Sequence, residues 1–219
     1  MRNRGHRPSC KVTVSRSIML VLMGCGLSLL TEYGRKQVDE ILLLVLASGI
    51  HEWGHWVMAR VVQVSLAECQ LDLLGARLKA RGVMSYVQEW WLSAGGPLFN
   101  FLSVALVVPL WISTTRGMLM CPEWVVDTIG GFGAVSLGLG GLNLMPIDTF
   151  DGGRMLYCFL ALFLEERCVQ RVSQAVSFLC LSLLWMVSVY VLLRVGRTLS
   201  LFVFSFTLLC RGLVAFHET

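Results

Sequence analysis

The apolar run from Ile41 to Val62 is interrupted near its middle by His51-Glu52-Trp53-Gly54-His55. No other feature constrains the fold as much. At about 1.5 Å per residue, His51 falls about 15 Å in from Ile41, near the centre of a bilayer core. Polar side chains at that depth are costly and usually mark function. On a helix, HExxH places two imidazoles at i and i+4 on one face, where they can hold a zinc ion. The intervening Glu52 is then close enough to act as a base on water at the metal. The bland alternative is a pair of core histidines hydrogen-bonded to neighbouring helices. Gly54 weakens the helix, which is tolerable where a neighbouring backbone or a substrate must come close.

The rest of the composition agrees with a membrane setting. The chain is 56% hydrophobic and 15% charged, with a mean hydropathy of +0.70. A soluble domain of 219 residues could not hide that much apolar surface. The net charge of +4 comes largely from Arg2, Arg4, Arg7, Lys11 and Arg16. No basic stripe with interleaved aromatics is present, so no nucleic-acid partner is expected; the arm is a positive-inside anchor in contact with the lipid bilayer. The eight cysteines are scattered without a CxxC pair and read as packing residues. His6 and His217 lie in the terminal tails, so a third ligand beside His51 and His55 is expected to be a carboxylate.

The pattern predicts an all-α polytopic membrane protein of about six transmembrane helices: Ser17–Leu30, Ile41–Val62, Trp90–Ile112, Trp124 to about Met145, about Val172–Leu193, and Leu199–Ala215. With the N-terminus inside, the layout puts thirteen Lys/Arg on the inner side and five outside, which predicts an integral multi-pass protein with both termini cytoplasmic. Ser65–Gln88 reads as a short membrane-surface β segment. Arg154–Glu166, apolar with charged ends and too short to span, reads as a re-entrant or interfacial helix.

Two further groups fit the same site. In Asn143-Leu-Met-Pro-Ile-Asp-Thr-Phe-Asp-Gly-Gly153, Pro146 should break the fourth helix, and an Asp-Gly-Gly turn would swing Asp151 toward the second. Residue chemistry alone leaves Asp148 open as the ligand. It also leaves open an ordinary turn in which Asp148 or Asp151 caps a helix beginning near Arg154. In Gly95-Gly96-Pro97-Leu98-Phe99-Asn100, a buried Asn inside lipid needs a partner, so Asn100 should face the bundle interior as part of the site or as helix–helix glue.

In this order, the three groups resemble the site-2 protease family of intramembrane zinc metalloproteases. That family carries HExxH, G-P-x-x-N and N-x-x-P-x-x-x-x-D-G on three core helices, matching here His51/Glu52/His55, Gly96/Pro97/Asn100 and Asn143/Pro146/Asp151/Gly152. The resemblance implies one Zn²⁺ per chain held by His51, His55 and Asp151, with Glu52 as general base and Asn100 and Asn143 holding substrate backbone or the oxyanion. Gly96, Pro97, Pro146 and Gly152 would be structural motif positions. It implies hydrolysis of membrane-spanning or membrane-tethered protein substrates, and a regulatory membrane protein as a further partner. The six-span layout is most similar to the stage IV sporulation protein FB branch, which implies a bacterial cytoplasmic membrane and processing of a sigma-factor precursor. Thr149 stands where branch members often carry a second Pro. A single membrane-embedded domain over 1–219 is expected, with its core at 41–154 and with no CBS or PDZ domain. The rival readings are a catalytically inactive zinc-binding scaffold, which would need no Glu52, and an ion transporter, which would need more polar residues along its spans.

Overall fold

The computed structural model describes residues 11–14, 32–64, 66–72, 75–80, 83–195 and 205–209. Helix α1 is Glu32–Val61, α2 is Tyr86–Thr115, α3 is Glu123–Asn143, α4 is Asp151–Ala161 and α5 is Glu166–Val195. Four of these helices (α1 from Val38, α2, α3, and α5 to Arg194) are long and apolar enough to cross a membrane, and the chain is an integral membrane protein. Six spans are therefore not what the described residues contain. The expected first span, Ser17–Leu30, lies outside them, as does Leu199–Ala215 apart from a helical turn at 205–209.

Three short strands precede or separate the first two helices: β1 Lys11–Val14, β2 Leu66–Asp72 and β3 Gly75–Ala80. They form one sheet in the order β1-β2-β3, with β1 parallel to β2 and β2 antiparallel to β3. Extended structure stops well before Gln88. Ser85 caps α2 by accepting from the Gln88 backbone N–H at 3.2 Å, and the Gln88 side chain accepts from the Ser85 N–H at 3.1 Å. Such a reciprocal box satisfies two donors that a helix start leaves orphaned. The Ser-x-x-Gln spacing is legible in the sequence, and it moves the helix start ahead of the expected Trp90. Gln88 also donates to the Val62 carbonyl at 3.1 Å, tying the start of α2 to the end of α1.

Helix α2 is the centre of the bundle and packs on α1, α3 and α4. It crosses α1 at Gly54 and Gly95: a Cβ on Gly54 would run into the Gly95 carbonyl oxygen, and one on Gly95 would stand 2.7 Å from the Gly54 carbonyl oxygen. Two glycines thus permit backbone-on-backbone contact, as small residues do between membrane helices. Pro97 lies inside α2 and is fully buried without ending it. On α3, the absence of a side chain at Gly130 makes room for the Trp111 indole.

The segment after α3 departs most from expectation. Helix α3 ends at Asn143, ahead of Pro146, as the missing N–H and ring of proline require. The residues Asp151-Gly152-Gly153 are not a turn; they are the first turn of α4, which starts ahead of the expected Arg154. The two glycines are buried, and side chains there would collide with the carbonyl oxygens of Leu144 and Ile147. The connecting loop is held from the other side as well. Ile147, 1% exposed, packs with Leu181 of α5 and Leu208, while Asp148 accepts from Ser173 Oγ at 3.2 Å and its N–H donates to Ser177 Oγ at 3.1 Å. Helix α5 starts at Glu166, earlier than the expected Val172.

Candidate metal centre

His51 and His55 lie one turn apart on α1 and are 5% and 7% exposed. Their Nε2 atoms converge to 3.2 Å with the rings edge-on. Asp151, projecting from the first turn of α4, brings Oδ2 to 3.0 Å from His51 Nε2 and 3.2 Å from His55 Nε2. Among the described residues, these three form the group of ligand-type side chains able to hold a metal ion.

The donor set fits zinc. A tetrahedral Zn²⁺ with bonds of about 2.0–2.1 Å sets its ligands roughly 3.3 Å apart, and catalytic sites use three protein ligands with one open position. The triangle of 3.0–3.2 Å matches that spacing to within a few tenths of an ångström. Its chemistry points the same way. The His55 Nδ1 lies 2.8 Å from the Leu92 carbonyl oxygen, which can only accept, so Nδ1 carries the proton and a neutral ring keeps its Nε2 lone pair. That lone pair faces a carboxylate oxygen, an arrangement that a shared cation relieves.

Helix α2 forms the wall behind the two rings. A Cβ at Gly96 would overlap His55 Nε2 and stand 2.5 Å from His51 Nε2, so only glycine lets α2 come this close. Asn100 is fully buried, and its side-chain amide nitrogen lies 3.3 Å from His51 Nδ1. Pro97 sits between these two positions. Glu52 lies on α1 next to His51 and three residues before His55.

Most of the sequence-predicted site is therefore brought together: His51, His55, Asp151, Asn100 and Gly96. Asn143, at the end of α3, donates from Nδ2 to the Leu139 carbonyl of its own helix at 3.0 Å. Pro146 and Gly152 serve the loop that delivers Asp151. Asp148 belongs to the α5 contact rather than the cluster. The Leu92 carbonyl escaped the sequence reading because a backbone acceptor has no residue signature.

No protein-family profile matches the chain. A protein from Chlamydia trachomatis serovar D, named as a zinc metalloprotease, is 29% identical over 133 residues, which are 55% of this chain and 22% of that protein. The chain thus spans about a fifth of that relative's length. A solved structure, the site-2 protease from Methanocaldococcus jannaschii, superposes with a TM-score of 0.60 at 18% identity, covering 92% of this chain and 88% of the other. The chain shares the fold of that site-2 protease. At that identity, the likeness speaks for the fold.

Proposed function

We propose that this protein is an intramembrane zinc metalloprotease of the site-2 protease family, cleaving membrane-spanning or membrane-tethered protein substrates. The observation that carries the reading is the convergence of His51 Nε2, His55 Nε2 and Asp151 Oδ2 within 3.0–3.2 Å of one another, with Glu52 on the same helix. These three atoms would hold one zinc. When bound, the metal supplies Lewis acidity that polarises a peptide carbonyl and makes water a nucleophile near neutral pH. Glu52 takes the proton of the attacking water and returns it to the leaving nitrogen. The Leu92 carbonyl keeps the His55 proton on Nδ1, so the ring presents its lone pair to the pocket.

A helical substrate hides its carbonyls in i→i−4 bonds and must unwind locally before attack. The outer strand β3, which lies against α1, offers an edge on which an extended segment can add as a further strand. Within that family, the six-span layout expected from the sequence is what favours the sporulation branch, and Thr149 departs from its motif.

The test is cleavage in proteoliposomes containing a set of single-span peptides, read by mass spectrometry. Wild type is expected to release fragments cut within the apolar span, and a zinc chelator to stop it. Glu52→Gln is expected to retain zinc and release none. Fragments made at the wild-type rate by Glu52→Gln would refute the protease reading.

A further inference from the structure

We propose that Asn100 is a positioning residue for the metal site. Its side-chain amide holds the proton of His51 on Nδ1, so that Nε2 is presented to the metal. The inference rests on the zinc reading above and assigns Asn100 a role other than holding substrate or the oxyanion.

Three observations carry it. First, Asn100 is 0% exposed, and its contact is with His51 Nδ1, the ring nitrogen that does not face Asp151. Second, the two histidines are backed alike: His55 Nδ1 meets the Leu92 carbonyl at 2.8 Å and His51 Nδ1 meets the Asn100 amide at 3.3 Å, both from α2. Leu92 and Asn100 are about 12 Å apart along that helix, so α2 spans both ligands and grips each by its far nitrogen. Third, α3 closes over this position, since a Cβ at Gly140 would press to 3.2 Å from the Asn100 Cβ.

The sense of the hydrogen bond follows from the chemistry. A neutral imidazole that gives its Nε2 lone pair to a metal carries its proton on Nδ1 and needs an acceptor there. Amide nitrogen and oxygen are told apart by their partners rather than by shape. In the amide orientation that places Nδ2 against the ring, Oδ1 is buried with no hydrogen-bond partner among the described residues. Turning the amide over brings Oδ1 to Nδ1–H and gives that proton its acceptor. Helix–helix glue would not require the contact to fall on a ligand ring.

The experiment measures zinc affinity by chelator competition on the full chain in mild detergent, together with the absorption spectrum of the cobalt-substituted protein. Wild type, Asn100→Leu, Asn100→Asp and His51→Ala are compared. Asn100→Leu, of similar volume but lacking an acceptor, is expected to weaken zinc by about 10- to 100-fold, the range for loss of an outer hydrogen bond to a ligand, with an altered cobalt spectrum. Asn100→Asp keeps an acceptor and is expected to restore affinity to within a few-fold of wild type. Wild-type affinity and spectrum in Asn100→Leu would overturn the inference while leaving the zinc reading intact. So would a loss that Asn100→Asp does not rescue, or a fall in turnover with zinc affinity unchanged. Absence of tight zinc in folded wild type would sink both readings together.

Discussion

Gly96 and His51 exclude a side chain from the space between them: a methyl group at position 96 would stand 2.5 Å from His51 Nε2. The same methyl would meet His55 Nε2, so one hydrogen-to-methyl change reaches both ring ligands. Gly96→Ala is expected to abolish tight zinc binding while leaving the helical content measured by circular dichroism intact. Wild-type zinc stoichiometry in Gly96→Ala would mean that α2 does not approach the site this closely.

The crossing of α1 over α2 allows a paired test on one helix. Replacing an interior helical glycine by alanine is worth about 1 kcal/mol in propensity, whereas overpacking costs about 1–3 kcal/mol. At Gly54 the new methyl meets the Gly95 carbonyl and comes within 2.8 Å of Phe99 Cβ. Backbone cannot rotate out of the way, so the clash dominates. At Gly49 nothing lies within 4 Å, and propensity is unopposed. Gly49→Ala should raise the thermal midpoint in detergent and Gly54→Ala should lower it; equal shifts would contradict the crossing.

Asp148 and Asp151, three residues apart, should separate cleanly by zinc content. Asp151→Asn is expected to lose or loosen the metal and Asp148→Asn to keep it. Loss of zinc from Asp148→Asn with retention in Asp151→Asn would reverse the ligand assignment.

Asp148 also carries a pH signature. Partial desolvation against α5 pushes its carboxyl above the ordinary 3.8, although the residue keeps an exposed edge and the hydrogen bonds of Ser173 and Ser177 pull it down. The folded state then holds this proton more tightly than the unfolded chain does. The group's contribution to stability is full below about 3.9 and is lost as pH rises through the folded pKa. The amide introduced by Asp148→Asn cannot ionise, yet it still offers an oxygen to Ser173. The melting difference between Asp148→Asn and wild type should therefore move in favour of the variant from about pH 3 to pH 7. A difference that does not vary with pH would argue against the burial effect.

Zinc held by His51, His55 and Asp151 as proposed should also act as a structural link between α1 and α4. A ligand that binds only the folded state stabilises by RT ln(1 + [L]/Kd), about 2.7 kcal/mol at a hundredfold excess over Kd. Chelation is expected to lower the thermal midpoint of wild type and to leave that of His51→Ala unmoved. Equal effects on both would place the zinc elsewhere.

Much of the site was legible in the chain itself, and for a physical reason. His51, Glu52 and His55 belong to one helix, where a period of 3.6 residues sets their geometry without help from the rest of the molecule. The apolar runs likewise determine that α1, α2, α3 and α5 suit a bilayer, since hydrocarbon selects length and hydropathy locally. The family resemblance pointed to Asp151 and the residue pattern put it in a turn, whereas the tertiary structure shows it on the first turn of α4. That position depends on Gly152 and Gly153 lying against the Leu144 and Ile147 carbonyls and on Ile147 being anchored by Leu181 and Leu208, contacts across helices that no local pattern encodes. The same holds for Asn100 and the Leu92 carbonyl, whose roles arise where α2 passes His51 and His55, and for Asn143, which matches its motif yet bonds to its own helix. Sequence alone determined which groups are chemically able to hold a metal in a membrane; the packing of α2 and α4 against α1 decided which of them meet, because convergence of side chains from separate helices is set by backbone approach, and backbone approach here is set by glycines.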